Sequence, residues 1–154
     1  MNTLIQTQRI IPFSPGRVYA AFADGKTLAT WWGPNGFTNE YEVFDFKIGG
    51  RWQFTMIGPN GARHPNQSIL LDLKPAEKVV LRHDCAPFFT LTVTLESHPS
   101  GTLLRWEGIF DDAKVLEAII HIIVPANEQN IDRLVQALEK RSQPGVRSLK
   151  SGFG

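Results

Sequence analysis

Between Phe37 and Phe110 apolar and polar residues alternate with a period of two, interrupted only where turn residues cluster. Such alternation means a sheet with one apolar face and one wet face. Phe37 to Lys47 and Arg51 to Ile57 read as strands joined by a tight hairpin at Gly49-Gly50. A third strand, about Asn66 to Leu73, ends at Lys74-Pro75-Ala76, and a fourth, about Lys78 to Asp84, ends at Ala86-Pro87. Phe88 to Ser97 and Thr102 to Phe110 form a last hairpin through Pro99-Ser100-Gly101. Parity puts Phe89, Leu91, Val93 and Leu95 on one face, with Leu104, Trp106 and Phe110 on the same side of the partner strand. The whole is an antiparallel meander covered on one face.

What covers it comes from the flanks. Thr3 to Ile11 reads as a first strand stopped by Pro12. Ser14 then offers an N-cap oxygen with Pro15 in the first helical position, and Val18, Tyr19 and Phe22 give a short helix an apolar stripe. Thr27 can cap a second short helix, Leu28 to Trp32, which Gly33-Pro34 must end. After Asp111, Leu116, Ile119, Ile120, Ile123, Asn127, Ile131, Leu134 and Leu138 fall near helical spacing, which predicts one long helix kinked or briefly broken at Pro125. The expected unit is a single domain over 1–141, followed by a flexible Gly, Ser and Pro-rich tail over 142–154.

Composition narrows the function. Sixteen Lys plus Arg balance fifteen Asp plus Glu across 154 residues, with no run of like charge, which argues against a nucleic-acid partner. A lone cysteine, Cys85, closes no intrachain disulfide and points to a reducing compartment. The N-terminus lacks the pattern of a signal peptide, and the apolar run AIIHIIV is far short of the roughly 20 residues that span a bilayer. The expected location is the cytoplasm.

The segments WWGPNGFT (31–38), FDFKIGGRW (44–52), LKPAEKVVL (73–81), RWEGIFD (105–111) and PANEQNIDRLVQALE (125–139) are similar in order and spacing to the Aha1-type branch of the START-like, or SRPBCC, superfamily. The resemblance covers residues 3 to about 141. It implies an α+β helix-grip (Bet v 1-like) fold, a curved antiparallel sheet of six to seven strands around a long C-terminal helix, with two short helices after the first strand. It also implies an apolar cavity between sheet and helix. Members bind lipids, sterols or hormones there, or act as polyketide cyclases or dehydratases. The Hsp90 role belongs to eukaryotic proteins with an additional N-terminal domain, which this chain, beginning at its first strand, is expected to lack.

Candidate residues follow from parity. Trp31, Trp32, Trp52, Phe54, Met56, Phe89 and Trp106 make an aromatic inner face, and Leu91, Ile119 and Ile123 join them as candidate cavity residues. Consecutive residues on a helix point about 100° apart, so one of Trp31 and Trp32 plugs the end of the grip while the other packs at its mouth, beside a turn that reads as a lid hinge. His83 shares the inward parity of Val79 and Leu81: it is either a satisfied core histidine or a polar anchor or acid–base group in the cavity. Asn127 interrupts the helix stripe, either to bond backbone freed by Pro125 or to face the cavity, while Glu128 and His121 sit off the stripe. Asp45 is a possible buried polar group with Arg51 or His83 as partner, or a hairpin carboxylate in water. His83, Asp84 and Cys85 do not amount to a metal site, and Cys85 has no sequence context that pairs it with a base. No cofactor is expected.

The leading reading is a non-enzymatic protein that binds a small hydrophobic, amphipathic or aromatic molecule. A cyclase, dehydratase or hydrolase using His83 with Asp45 or Asn127 is the second, and a chaperone-associated interaction module the third. Monomer and homodimer are both open.

Overall fold

The computed structural model describes residues 2–142. The tail expected to be flexible lies, but for Ser142, outside the described residues. The chain runs β1 (Leu4–Ile11), α1 (Pro15–Ala23), α2 (Gly25–Trp31), β2 (Thr38–Phe44), β3 (Arg51–Ile57), β4 (Arg63–Lys74), β5 (Lys78–His83), β6 (Phe89–His98), β7 (Gly101–Phe110) and α3 (Ala113–Ser142). The strands form one antiparallel sheet in the order β1-β7-β6-β5-β4-β3-β2. This curved sheet with its long C-terminal helix is the helix-grip arrangement.

Local chemistry accounts for the joints. Ser14 Oγ accepts from the Arg17 amide at 3.4 Å, Pro15 opens α1, and Val18, Ala21 and Phe22 bury one face of it. Thr27 does not cap α2, which starts earlier with Asp24 at the cap position; the Thr27 hydroxyl instead donates to Asp24 Oδ2 at 2.7 Å. The strand expected to reach Lys47 stops at Phe44. Residues 45–50 are a looped turn, and its Gly49 amide donates to the Leu70 carbonyl on β4. Gly50 is obligatory there, since a Cβ would lie 2.0 Å from the Asp45 carbonyl oxygen. Register shifts at Tyr41/Val43 and Leu70/Asp72 mark irregularities that bend strands and help the sheet curve.

The inner face reads as parity expects on β5, β6 and β7, with Val79, Leu81, Leu91, Val93, Leu104 and Trp106 buried. They join Val18, Phe22, Leu28 and Trp31 from α1 and α2, and Ile131, Leu134 and Leu138 from α3, in one core. Ile5, Phe110 and Leu116 make a smaller cluster under the start of α3. α3 is the one long helix expected, and of the two alternatives at Pro125, a kink or a brief break, the break is absent. The carbonyl that Pro125 leaves without its helical donor is that of His121, an exposed residue, where water can serve it.

Candidate functional site

The sheet is wider than one helix can fill, and the unfilled space is a cavity of about 510 Å³. That volume is in the range of small-molecule sites, roughly 300–1,000 Å³. Its apolar wall is Trp32, Leu81, Phe89, Leu91, Trp106 and Phe110, with Ile123 on the helix side. Exposed Arg63, His64 and Pro65 on β4 and Ala86 on the β5–β6 loop stand where the cavity meets solvent.

Of the residues singled out from the sequence, Trp32, Met56, His83, Phe89, Leu91, Trp106, Ile123 and Asn127 line this cavity. Trp31, Trp52 and Phe54 do not; they are buried in the main core. The physical reason for Trp31 is its neighbours. Its ring lies edge-on to Phe22 at 4.9 Å, and its indole nitrogen donates to the Ala21 carbonyl at 3.1 Å, so it plugs the α1–α2 end. Ile119 packs against the small cluster at the start of α3 rather than lining the cavity. Asp45 is not a buried polar group: the strand has ended before it, its side chain is 53% exposed, and its near partner is Lys47 Nζ at 3.7 Å. Arg51 turns instead to Gln67 Oε1 at 3.5 Å.

His83 is held on three sides. Its Nδ1 lies 2.8 Å from the Pro87 carbonyl and its Nε2 2.7 Å from Asn66 Oδ1, while its ring stacks on Phe89 at 4.5 Å. The Pro87 carbonyl and Asn66 Oδ1 can both only accept, so a neutral ring, with its single N–H, donates to one of them. Burial pushes the His83 pKa below its ordinary value of 6.5, outweighing the carbonyl contacts that favour the charged ring. The neutral form is therefore the resting one near pH 7. Cys85 Sγ sits 3.5 Å from Nε2, a proximity that sequence spacing did not reveal. Among the described residues no group of three or more His, Cys, Asp and Glu is placed to hold a metal ion, and no helix is long and apolar enough to cross a membrane.

The turn after Trp32 is clamped rather than hinged. Arg133 on α3 donates from Nη1 to the carbonyls of Trp32, Gly33 and Pro34 at 3.2, 3.0 and 2.8 Å, and from Nη2 to those of Thr30 and Phe37 at 3.0 and 2.8 Å. Asn130 Nδ2 donates to the Trp31 carbonyl at 2.8 Å, and Asn39 Nδ2 to those of Ala29 and Trp32. A Gly-Pro turn leaves carbonyls without ladder partners, and one guanidinium satisfies five of them. Gly33 has φ +95°, and a Cβ there would meet Met56 Cε at 2.7 Å, so the turn presses directly on the cavity wall. Glu128, off the stripe, accepts from Thr7 Oγ1 and from Arg9 Nη2 at 2.6 Å, tying α3 to β1. These hydrogen bonds, Thr7's first, hold its carboxyl below the usual range.

Sequence reasoning missed the polar part of the wall: Arg63, His64, Asn66 and Ser68 on β4, and Asn130 on α3. The signal was present in the parity of β4, where His64, Asn66 and Ser68 share the inward side with Leu70.

Solved structures share this architecture at low identity. A protein from Nitrosomonas europaea matches with TM-score 0.82 and 15% identity over 91% of this chain and 96% of its own. One from Arthrobacter aurescens matches with TM-score 0.82 and 17% identity over 92% and 88%, and one from Chromobacterium violaceum with TM-score 0.77 and 23% identity over 88% and 96%. At such identities the likeness is one of fold. No curated protein matches the chain. The family model described as activator of Hsp90 ATPase homolog 1-like protein matches residues 12–139, most of the domain just described. The chain belongs to the family of activator of Hsp90 ATPase homolog 1-like proteins, within the SRPBCC superfamily.

Proposed function

We propose that this protein binds a small, mainly apolar or aromatic molecule in the cavity between its sheet and α3. The observation that carries this reading is the cavity itself, about 510 Å³ with Trp32, Trp106, Phe89 and Phe110 in its wall. Aromatic walls give a flat apolar ligand large contact area and edge or stacking geometry. Acid–base chemistry has little to work with by comparison. His83 has both ring nitrogens engaged by protein groups, and Asp45 stands in solvent on the β2–β3 turn.

Native mass spectrometry of the full chain purified from its own host tests the reading. The expected result is a co-purifying small molecule that is lost from an Ile123→Trp variant, whose new ring fills the cavity while circular dichroism shows the fold kept. An apo mass for the wild type, with no shift on adding naphthalene or naphthol, contradicts it. Stoichiometric recovery of an Hsp90-type chaperone in a pull-down would favour the role that the family description names.

A further inference from the structure

The cavity is not uniformly apolar, and its polar groups form a band. On β4 the inward residues His64, Asn66 and Ser68 follow each other at every second position, and Ser68 stands opposite His83 on β5. From the other side α3 contributes Asn127 and Asn130, three residues apart and hence on one helix face. Leu81, Leu91, Trp106 and Phe110 on the rest of the sheet surround this band with apolar surface.

Several groups in the band have no partner of their own. Ser68 is 3% exposed and its hydroxyl makes no hydrogen bond to a described residue. Asn127 likewise has none, and Asn130, 6% exposed, uses Nδ2 on the Trp31 carbonyl and leaves Oδ1 without a partner among the described residues. These three side chains line the cavity and their free polar atoms open on it rather than being sealed in the core, so they stand where a ligand's polar atoms can be met.

The charge of the band decides the ligand's head group. Among the described residues no carboxylate lines the cavity. Its Arg63 is held by Glu40 at 2.6 Å with both side chains more than half exposed, so its charge is spent at the surface. Burial favours the neutral form of His83. A ligand carboxylate drawn as deep as Ser68 would lose its water among neutral partners, with Arg63 out at the mouth beside Glu40. A hydroxyl or amide finds Ser68 and Asn127 as donors or acceptors, and Asn130 Oδ1 as an acceptor.

We propose, resting on the ligand-binding reading above, that the cavity selects uncharged ligands: an aromatic or alicyclic body with one hydroxyl or amide head held between Ser68 on β4 and Asn127 and Asn130 on α3.

Isothermal titration of the full chain near neutral pH with naphthalene, 2-naphthol, 2-naphthamide and 2-naphthoate tests it. The four share one body and differ in the head. The expected result is that naphthol and naphthamide bind at least about ten-fold more tightly than naphthoate, and more tightly than naphthalene, about 1.4 kcal/mol for each factor of ten. Ser68→Ala and Asn127→Leu should bring naphthol down to the naphthalene affinity while leaving naphthalene binding in place, which also shows that the variants fold. Naphthoate binding as tightly as naphthol, or naphthol binding no better than naphthalene, overturns the selectivity and leaves the cavity reading standing. Failure of all four probes to bind overturns the cavity reading and the selectivity with it.

Discussion

The two halves of α3 cover the same sheet and end in different states. From Asn130 to Leu138 the inward residues Ile131, Leu134 and Leu138 are buried in one core with Trp31, Phe22 and Leu28. From Ala113 to Asn127 only Leu116 is fully buried, and Ile122 and Val124 stand 57% and 47% exposed. The helix is apolar in both halves. What differs is the opposing layer: α1 and α2 bring large rings beneath the C-terminal half, whereas the N-terminal half spans β4 to β7, where Asn66, Ser68 and Gly108 bring little apolar volume. An apolar helix stripe makes a close-packed core only where the facing layer supplies matching volume; elsewhere the same stripe becomes the wall of a cavity.

The adjacent tryptophans separate the two halves most sharply. Trp31→Ala removes a buried ring and its hydrogen bond to the Ala21 carbonyl. It should cost about 3–5 kcal/mol of stability in urea unfolding. Trp32→Ala lies in the cavity wall, beside Trp106 at 5.8 Å, and should cost clearly less stability while weakening naphthol binding in calorimetry. Equal stability losses would erase the contrast. A smaller effect attends the clamp between the halves. Arg133→Met leaves five carbonyls without their guanidinium donor and should cost about 2 kcal/mol. It should also loosen the Trp32 turn, read as faster amide exchange over 33–37.

The pH dependence of stability probes the cavity half through His83. Its folded pKa lies below 6.5, so between the two values the unfolded chain binds more protons than the folded one. Stability is then complete above pH 6.5 and falls as pH drops through the window from 6.5 to the folded value. The thermal midpoint should decline on going from about pH 7.5 to about pH 5.5, and His83→Gln should flatten that decline. An unchanged slope in the variant would show that His83 is not the group responsible. Least of all, Glu128→Gln breaks an ion pair with Arg9 that is partly exposed on both sides and should cost under about 1 kcal/mol.

The sheet, its inner face on β5 to β7, and the long helix were legible because alternation and helical spacing are local properties of the chain. Leu81, His83, Leu91 and Trp106 followed from parity alone. The start of β4 was not legible, since Arg63, His64 and Pro65 look like a loop. Pro65 is tolerated because β5 pairs with β4 only from Ser68 onward, so one edge of the strand at residue 65 has no ladder to break. Missing those residues hid His64 at the mouth, whereas Asn66 and Ser68 lay within the expected strand and their inward parity was passed over. Asp45 stayed open between a buried group and a hairpin carboxylate because its inward parity holds only if β2 continues past Phe44; the strand ends there, the Gly49–Leu70 bond holds the turn, and Asp45 is the hairpin carboxylate in water. Arg133 carried no signal, as its five partners are backbone carbonyls that come together only once the Gly33-Pro34 turn has folded against α3.

The claim at the centre is that the space between β4 to β7 and the first half of α3 is a ligand site. Crystals of the full chain soaked with 6-bromo-2-naphthol test it most directly, because the bromine locates the ring by anomalous scattering. The account predicts a bromine peak inside the cavity against Trp106, with the naphthol oxygen within hydrogen-bonding distance of Ser68 or Asn127. A cavity closed by its own side chains, with no peak within it, would contradict the account.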